Sequence, residues 1–108
     1  MNQSRFAQRA WKLIQRNPAS IAINRDGIFL SDQTVRVETS NAQVERTGVS
    51  GAMATMRDAV VFGIRNHPSV SDTDIKRNDR FEHEGQDYRV MDVNFVVGGL
   101  QAHCEVIS

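Results

Sequence analysis

The residues of this chain with chemical capacity are three histidines, one cysteine and a run of aspartates. His67, His83 and His103 stand apart from any cysteine or second histidine at zinc-ligand spacing. His67 precedes Pro68 and reads as a turn residue. Asp72-Thr73-Asp74, with Asp79 further on, faintly resembles a calcium loop. The glycine and the closing glutamate are missing at the offsets such a loop needs. A polar loop whose aspartates cap backbone amides is the better reading. Cys104 falls on an apolar alternation, where a thiol behaves as a small hydrophobe. No base stands near it in sequence to activate a nucleophile. Gly98-Gly99 lacks the motif and the following helix of a phosphate loop. No convergent set of polar groups points to catalysis, so the expectation is a structural or interaction protein, not an enzyme, with no cofactor or metal.

Two sets of residues carry interaction chemistry instead. Arg5, Arg9, Lys12 and Arg16 gather in one narrow sector at about 100° per residue, opposite an apolar arc of Phe6, Ala7, Ala10, Trp11, Leu13 and Ile14. Residues 3–16 therefore read as an amphipathic helix, ended by Asn17-Pro18 because a residue before proline avoids helical angles. The basic ridge is either a solvated face or a contact for an acidic protein surface or DNA phosphates. Exposed aromatics interleaved with the charges, as in single-strand binders, are absent, which favours a protein partner. The second set is Val44, Val49, Met53 and Met56, apolar anchors in an otherwise small and polar stretch, 40–56. That stretch lacks periodicity and reads as a long flexible loop, of the kind that orders when subunits meet. A weak helix near Gly51–Arg57 is the alternative, opposed by Gly48 and Gly51.

The elements that position these residues are mainly β. Ile21-Ala22-Ile23 alternates, and Asp26-Gly27 is a two-residue hairpin signal placing Ile23 opposite Leu30. Thr34–Glu38 alternates again, and residues 58–65 read as a buried strand stopped by Asn66-His67-Pro68. Around Gly85, one face carries Phe81, His83, Tyr88 and Val90; the other carries Glu82, Glu84, Asp87 and Arg89. A Gly98-Gly99 turn would pair Val97 with Leu100, Phe95 with Ala102, Val93 with Cys104 and Met91 with Val106. The apolar phase flips at Val90–Met91, which requires a bulge or a strand that changes sheets. The expected fold is a small β-barrel or orthogonal sandwich of about six or seven strands, with one packed N-terminal helix.

At 108 residues, with 13 basic and 13 acidic side chains, the chain is one domain of near-zero net charge. Bulk electrostatics therefore do not call for a nucleic-acid or membrane partner. One cysteine excludes an internal disulfide and fits a reducing compartment. With no signal peptide or membrane span, a cytosolic protein is expected.

The stretch Asp74-Ile75 … Asp79-Arg80-Phe81 … Gly85 … Tyr88-Arg89-Val90 follows a D-I-x-x-x-D-x-F-x-x-x-G-x-x-Y-x-V pattern. In this it resembles the late segment of small tailed-phage neck proteins, the lambda-type head–tail joining and head-closure (stopper) group. The likeness covers residues 58–93 best and 1–57 in outline. It implies a subunit that forms a ring at the portal vertex, retains the packaged genome and provides the surface on which the tail docks. Partners would be further copies of itself, portal or adaptor proteins and tail proteins. The location would be the virion neck, after host cytoplasm. It brings no catalytic residues, and contact with packaged DNA stays open. In this family the long internal loop orders on assembly; here it corresponds to 40–56. The alternative is a nucleic-acid-binding barrel of the OB type that uses the basic helix as a phosphate rail.

Overall fold

The computed structural model describes residues 3–45 and 53–107. Helix α1 (Gln3–Arg16) is followed by strands β1 (Ala19–Ile21), β2 (Asn24–Arg25), β3 (Ile28–Phe29), β4 (Gln33–Glu45), β5 (Met53–Ile64), β6 (Arg80–His83), β7 (Gln86–Val96) and β8 (Gly99–Val106). The strands form one antiparallel sheet in the order β1-β4-β5-β8-β7-β6-β2-β3, curled into a half-barrel. Its two ends are tied by a single bent segment. Residues 19–21 pair with β4 at one end, and Asn24 pairs with Arg80 of β6 at the other. A strand that switches partners in mid-course is how a small sheet turns its corner.

The alternation read from the sequence fills the interior. Ile21, Ile23, Val35, Val37, Ala59, Val61, Val90, Ala102 and Cys104 are buried there, with Phe81 stacked on Tyr88 at 5.5 Å between ring centroids. The phase flip at Val90–Met91 is a β-bulge. Val90 pairs with Cys104 and Asp92 with the adjacent His103, leaving Met91 unpaired. The extra residue lets Tyr88 and Val90 share the interior with Val93, which packs against the core. Asp26 and Gly27 take positive φ (53° and 86°) in the β2–β3 turn, and Leu30 N–H donates to Ile23 C=O at 2.8 Å, as expected.

Two expectations are corrected. The β7–β8 turn is Val97-Gly98, not Gly98-Gly99, because Val96 pairs with Gly99. Phe95 thus opposes Leu100 and Val93 opposes Ala102, and Val106 opposes Tyr88 rather than Met91, which drops out at the bulge. Packing decides this. Gly98 needs φ +78°, and a Cβ there would sit 2.5 Å from the Ala7 nitrogen, so only glycine lets α1 seat on the turn. The second correction concerns the extent of the loop expected at 40–56. The β4–β5 ladder continues through Asn41↔Arg57, Ala42↔Met56, Gln43↔Thr55 and Val44↔Ala54 to Glu45↔Met53. Both ends of that stretch are therefore strand, and residues 46–52, Val49 among them, lie outside the described residues.

α1 packs on the outer face of the sheet and makes a second, smaller core. Ala7 and Ile14 bury against Ile64, with Ala10, Trp11 and Val70 alongside. Leu13, expected on the buried arc, is 49% exposed. A helix touches a sheet along one line, so a residue at the edge of a broad apolar arc is left out.

Candidate interaction surfaces

The polar constellation with the most contacts is built around Arg25. The β2–β3 hairpin carries this side chain to the connection between β5 and β6. Arg25 Nε and Nη2 donate to the two oxygens of Asp79 at 3.0 and 2.8 Å. Nη2 and Nη1 also reach Asp74 at 2.9 and 3.3 Å. A planar guanidinium suits two such forks. Asp79 is 2% exposed and also accepts from the Lys76 N–H at 2.7 Å. Gln33 closes the other side, donating to the Asp74 carbonyl at 2.8 Å and accepting from the Asp74 N–H at 2.6 Å. The hydrogen bond from Arg25 holds the Asp74 carboxyl below its ordinary value, and both carboxylates push the guanidinium up. These hydrogen bonds tie the β2–β3 hairpin and the start of β4 to residues 74–79, so the cluster is a clamp that seats that connection across the end of the sheet. It also explains the D-I-x-x-x-D-x-F-x-x-x-G-x-x-Y-x-V residues one by one. Asp74 and Asp79 hold Arg25, Ile75, Phe81, Tyr88 and Val90 fill the core, and Gly85 takes φ +78° in the turn.

Of the aspartates read as capping residues, Asp72 accepts from the Asn66 N–H at 2.9 Å and Asp79 from the Lys76 N–H, whereas the Asp74 carboxylate is held by Arg25 instead. His67 is a turn residue whose Nδ1 accepts from the Ser69 and Val70 N–H groups at 3.0 and 3.1 Å, with Trp11 against its ring. His83 lies 3.6 Å from Glu84, and His103 3.7 Å from Asp58 on the outer face. Cys104 is fully buried, and burial pushes its thiol up to about 12.

Arg5, Arg9, Lys12 and Arg16 are all exposed on α1, and none forms an ion pair with another described residue. The structure brings them together as one ridge on the side of the helix away from the sheet. Met53, Met56 and Val44 lie elsewhere, on the β4–β5 ladder. β5 leaves β8 at Asp58↔Glu105, and β1 reaches only Val35 of β4. Beyond Ser40↔Asp58 the two strands pair only with each other among the described residues. Five residue pairs form this arm, a reach of about 17 Å at the usual strand rise. It explains a radius of gyration of 15.6 Å, against about 13 Å for a compact chain of this length.

The interaction features that the sequence reading missed are apolar. Leu13 and Val96 (47% exposed) rim a groove of about 360 Å³ between α1 and the outer sheet face, floored by Ala10, Ile14, Phe62 and Leu100. Arg36 closes one side, bonded to Glu38 at 2.8 Å and donating to the Leu13 carbonyl at 3.2 Å. Phe95 and Val97 are also exposed near the β7–β8 turn, with the Arg65 guanidinium 4.3 Å above the Phe95 ring. Ile28 and Phe29 expose a second apolar patch on β3. Alternation pairs Phe95 and Val97 with residues of β8, yet both are exposed. That pattern cannot show that the β7–β8 hairpin projects past the end of the core. Among the described residues no helix is long and apolar enough to cross a membrane. No family model matches the chain, and no curated protein matches it.

Proposed function

We propose that this chain is a structural subunit of a tailed-phage neck, joining a ring at the portal vertex that closes the filled head and presents a surface to the tail. The observation that carries this reading is the β4–β5 arm. A two-stranded ribbon is marginal in water without a third strand or a packed face. An arm five pairs long beyond the sheet is best accounted for by a neighbour that completes it. The resemblance of residues 74–90 supplies the kind of neighbour: other copies, portal or adaptor proteins, and tail proteins. The arm coincides with the segment which that likeness marks as ordering on assembly. The cations of α1, unpaired among the described residues, are assigned to an acidic protein surface.

The test is deletion of residues 42–54. Asn41 and Arg57 are a ladder pair, so Thr55-Met56 can close a two-residue turn after the deletion. The expected protein folds with little change in melting temperature but leaves filled heads unattached to tails under the electron microscope. Tail joining that survives the deletion overturns the reading. Titration with single- and double-stranded DNA at low salt separates it from an OB-type binder, for which salt-sensitive binding is expected.

A further inference from the structure

The outer face of the β6–β7 hairpin sets like charges opposite each other twice. Arg80 pairs with Arg89 across the two strands, and Glu82 pairs with Asp87. All four side chains are exposed, while Phe81 and Tyr88 between them are buried, so the four share the face turned away from the core. Like charges directly opposite on an antiparallel pair are destabilising. Exchanging Arg89 with Asp87 would have made both pairs attractive, so the arrangement works against the hairpin that carries it. Among the described residues none of the four forms an ion pair. Glu105 of β8 stands opposite Arg89 on the other side of β7, and it too makes no ion pair there.

A basic row beside an acidic row is self-complementary. The two rows lie two residues apart along the strands, about 7 Å. A second copy can lie face to face on this one, with a two-fold axis running across the strands midway between the rows. Each basic row then sits on the other copy's acidic row. Arg80 meets the partner's Glu82 and Arg89 meets the partner's Asp87, with the reciprocal pairs closing the contact. An axis along the strands would set like rows together, so the charges select one orientation. The crossing axis also keeps each residue at its own position across the sheet. Phe29, 70% exposed, lines one concavity with Arg80, Glu82 and Asp87. The same orientation therefore brings the apolar surface of β3 from both copies to one side of the charges. We propose that the outer face of β6–β7 pairs with the same face of a second copy, giving a two-fold dimer of the free protein. Such an isologous contact closes at two copies. It stands apart from the neck reading, which needs a heterologous ring contact and rests on the β4–β5 arm.

Light scattering on the purified protein tests the contact. Contacts smaller than a standard interface are weak, so the series runs from about 10 µM to about 1 mM protein. The expected mass rises from the 12.1 kDa monomer toward twice that value and stops there. In about 1 M sodium chloride, where the screening length is about 3 Å, the dissociation constant is expected to weaken at least about tenfold. Arg80→Glu with Arg89→Glu, and Glu82→Arg with Asp87→Arg, each leave a patch of one sign, and each variant alone is expected to stay monomeric. Their equimolar mixture is expected to return a dimer at least as tight as that of the unaltered protein, because every facing pair is attractive again. An unaltered protein that is monomeric at the highest concentration, growth past the dimer, association indifferent to salt, or a mixture that stays monomeric overturns the proposal. Circular dichroism melts check that both variants fold; if either does not, the concentration and salt series on the unaltered protein decides alone. Tail joining by the 42–54 deletion tests the neck reading separately, so either can fail without the other.

Discussion

Replacing Asp79 by alanine tests the idea that the best-connected polar cluster of this protein is a fold clamp. The Asp79 carboxylate accepts three hydrogen bonds, at 3.0 and 2.8 Å from Arg25 and at 2.7 Å from the Lys76 backbone. Each hydrogen bond to a charged group contributes about 1.5–3 kcal/mol, but the three do not simply add. After truncation Arg25 keeps Asp74, and its side chain is 24% exposed, so water recovers part of the loss. We take about 3 kcal/mol, the low end for removing one partner of a buried pair. An unfolding entropy near 2.1 cal/mol/K per residue over 108 residues converts this to a fall of about 13 °C in melting temperature. Asp74→Ala is the internal control. Asp74 makes the same kind of fork to Arg25 at 2.9 Å, but its side chain is 53% exposed. An exposed ion pair contributes about 0.5 kcal/mol, or about 2 °C by the same conversion. Thermal melts followed by circular dichroism or calorimetry read both variants. If the two shifts are equal, or if Asp79→Ala lowers the midpoint by less than about 4 °C, burial does not set the strength of the clamp and the argument fails.

Other consequences are open to simple measurement. Gly98→Ala and Gly85→Ala impose the same φ of +78°, but only at Gly98 would the new Cβ meet backbone, at 2.5 and 2.6 Å from Ala7 and Phe6. Gly85→Ala should cost about 1–2 kcal/mol from strain alone. Gly98→Ala should cost more and lift α1, shifting the emission of Trp11, the single tryptophan; matched losses with unchanged emission would contradict the seating of the helix on that turn. Cys104 should resist a disulfide reagent at pH 8 in the folded protein and react freely in urea, whereas rapid native labelling would rule out its burial. The folded thiol is raised from 9.0 to about 12, so the unfolded chain loses its proton first. The stability this contributes is complete below pH 9 and declines as pH rises toward 12. Comparison with Cys104→Ala over that window should show a shallower slope in the variant.

Much of the architecture was legible from side-chain periodicity and turn chemistry. The 3.6-residue spacing of Ala7, Ala10, Trp11 and Ile14 gave the helix, and Asn17-Pro18 gave its end. Asp26-Gly27 and Gly85 marked their turns because few other residues tolerate positive φ there. The flip between Val90 and Met91 located the bulge, since a strand cannot change its buried face without an extra residue. The four cations of α1 could be placed on one ridge for the same geometric reason. What periodicity could not reveal was anything set by contact between distant segments. Arg25 meets Asp74 and Asp79 across about fifty residues, and nothing local to either side announces the pairing. The register of the β7–β8 turn was decided by the backbone of α1 pressing on Gly98.

The sequence by itself determined which residues face a core and where the chain must turn, because those properties follow from a few neighbouring residues and the fixed periods of helix and strand. The tertiary structure alone decided how far β4 and β5 run as a pair. Residues 41–45 and 53–57 alternate too weakly to mark themselves as strands, and only the ladder inherited from the buried part of the hairpin carries their pairing on to Glu45↔Met53. That inheritance is the physical reason the arm could not be read in advance. Its strand order comes from the sheet behind it.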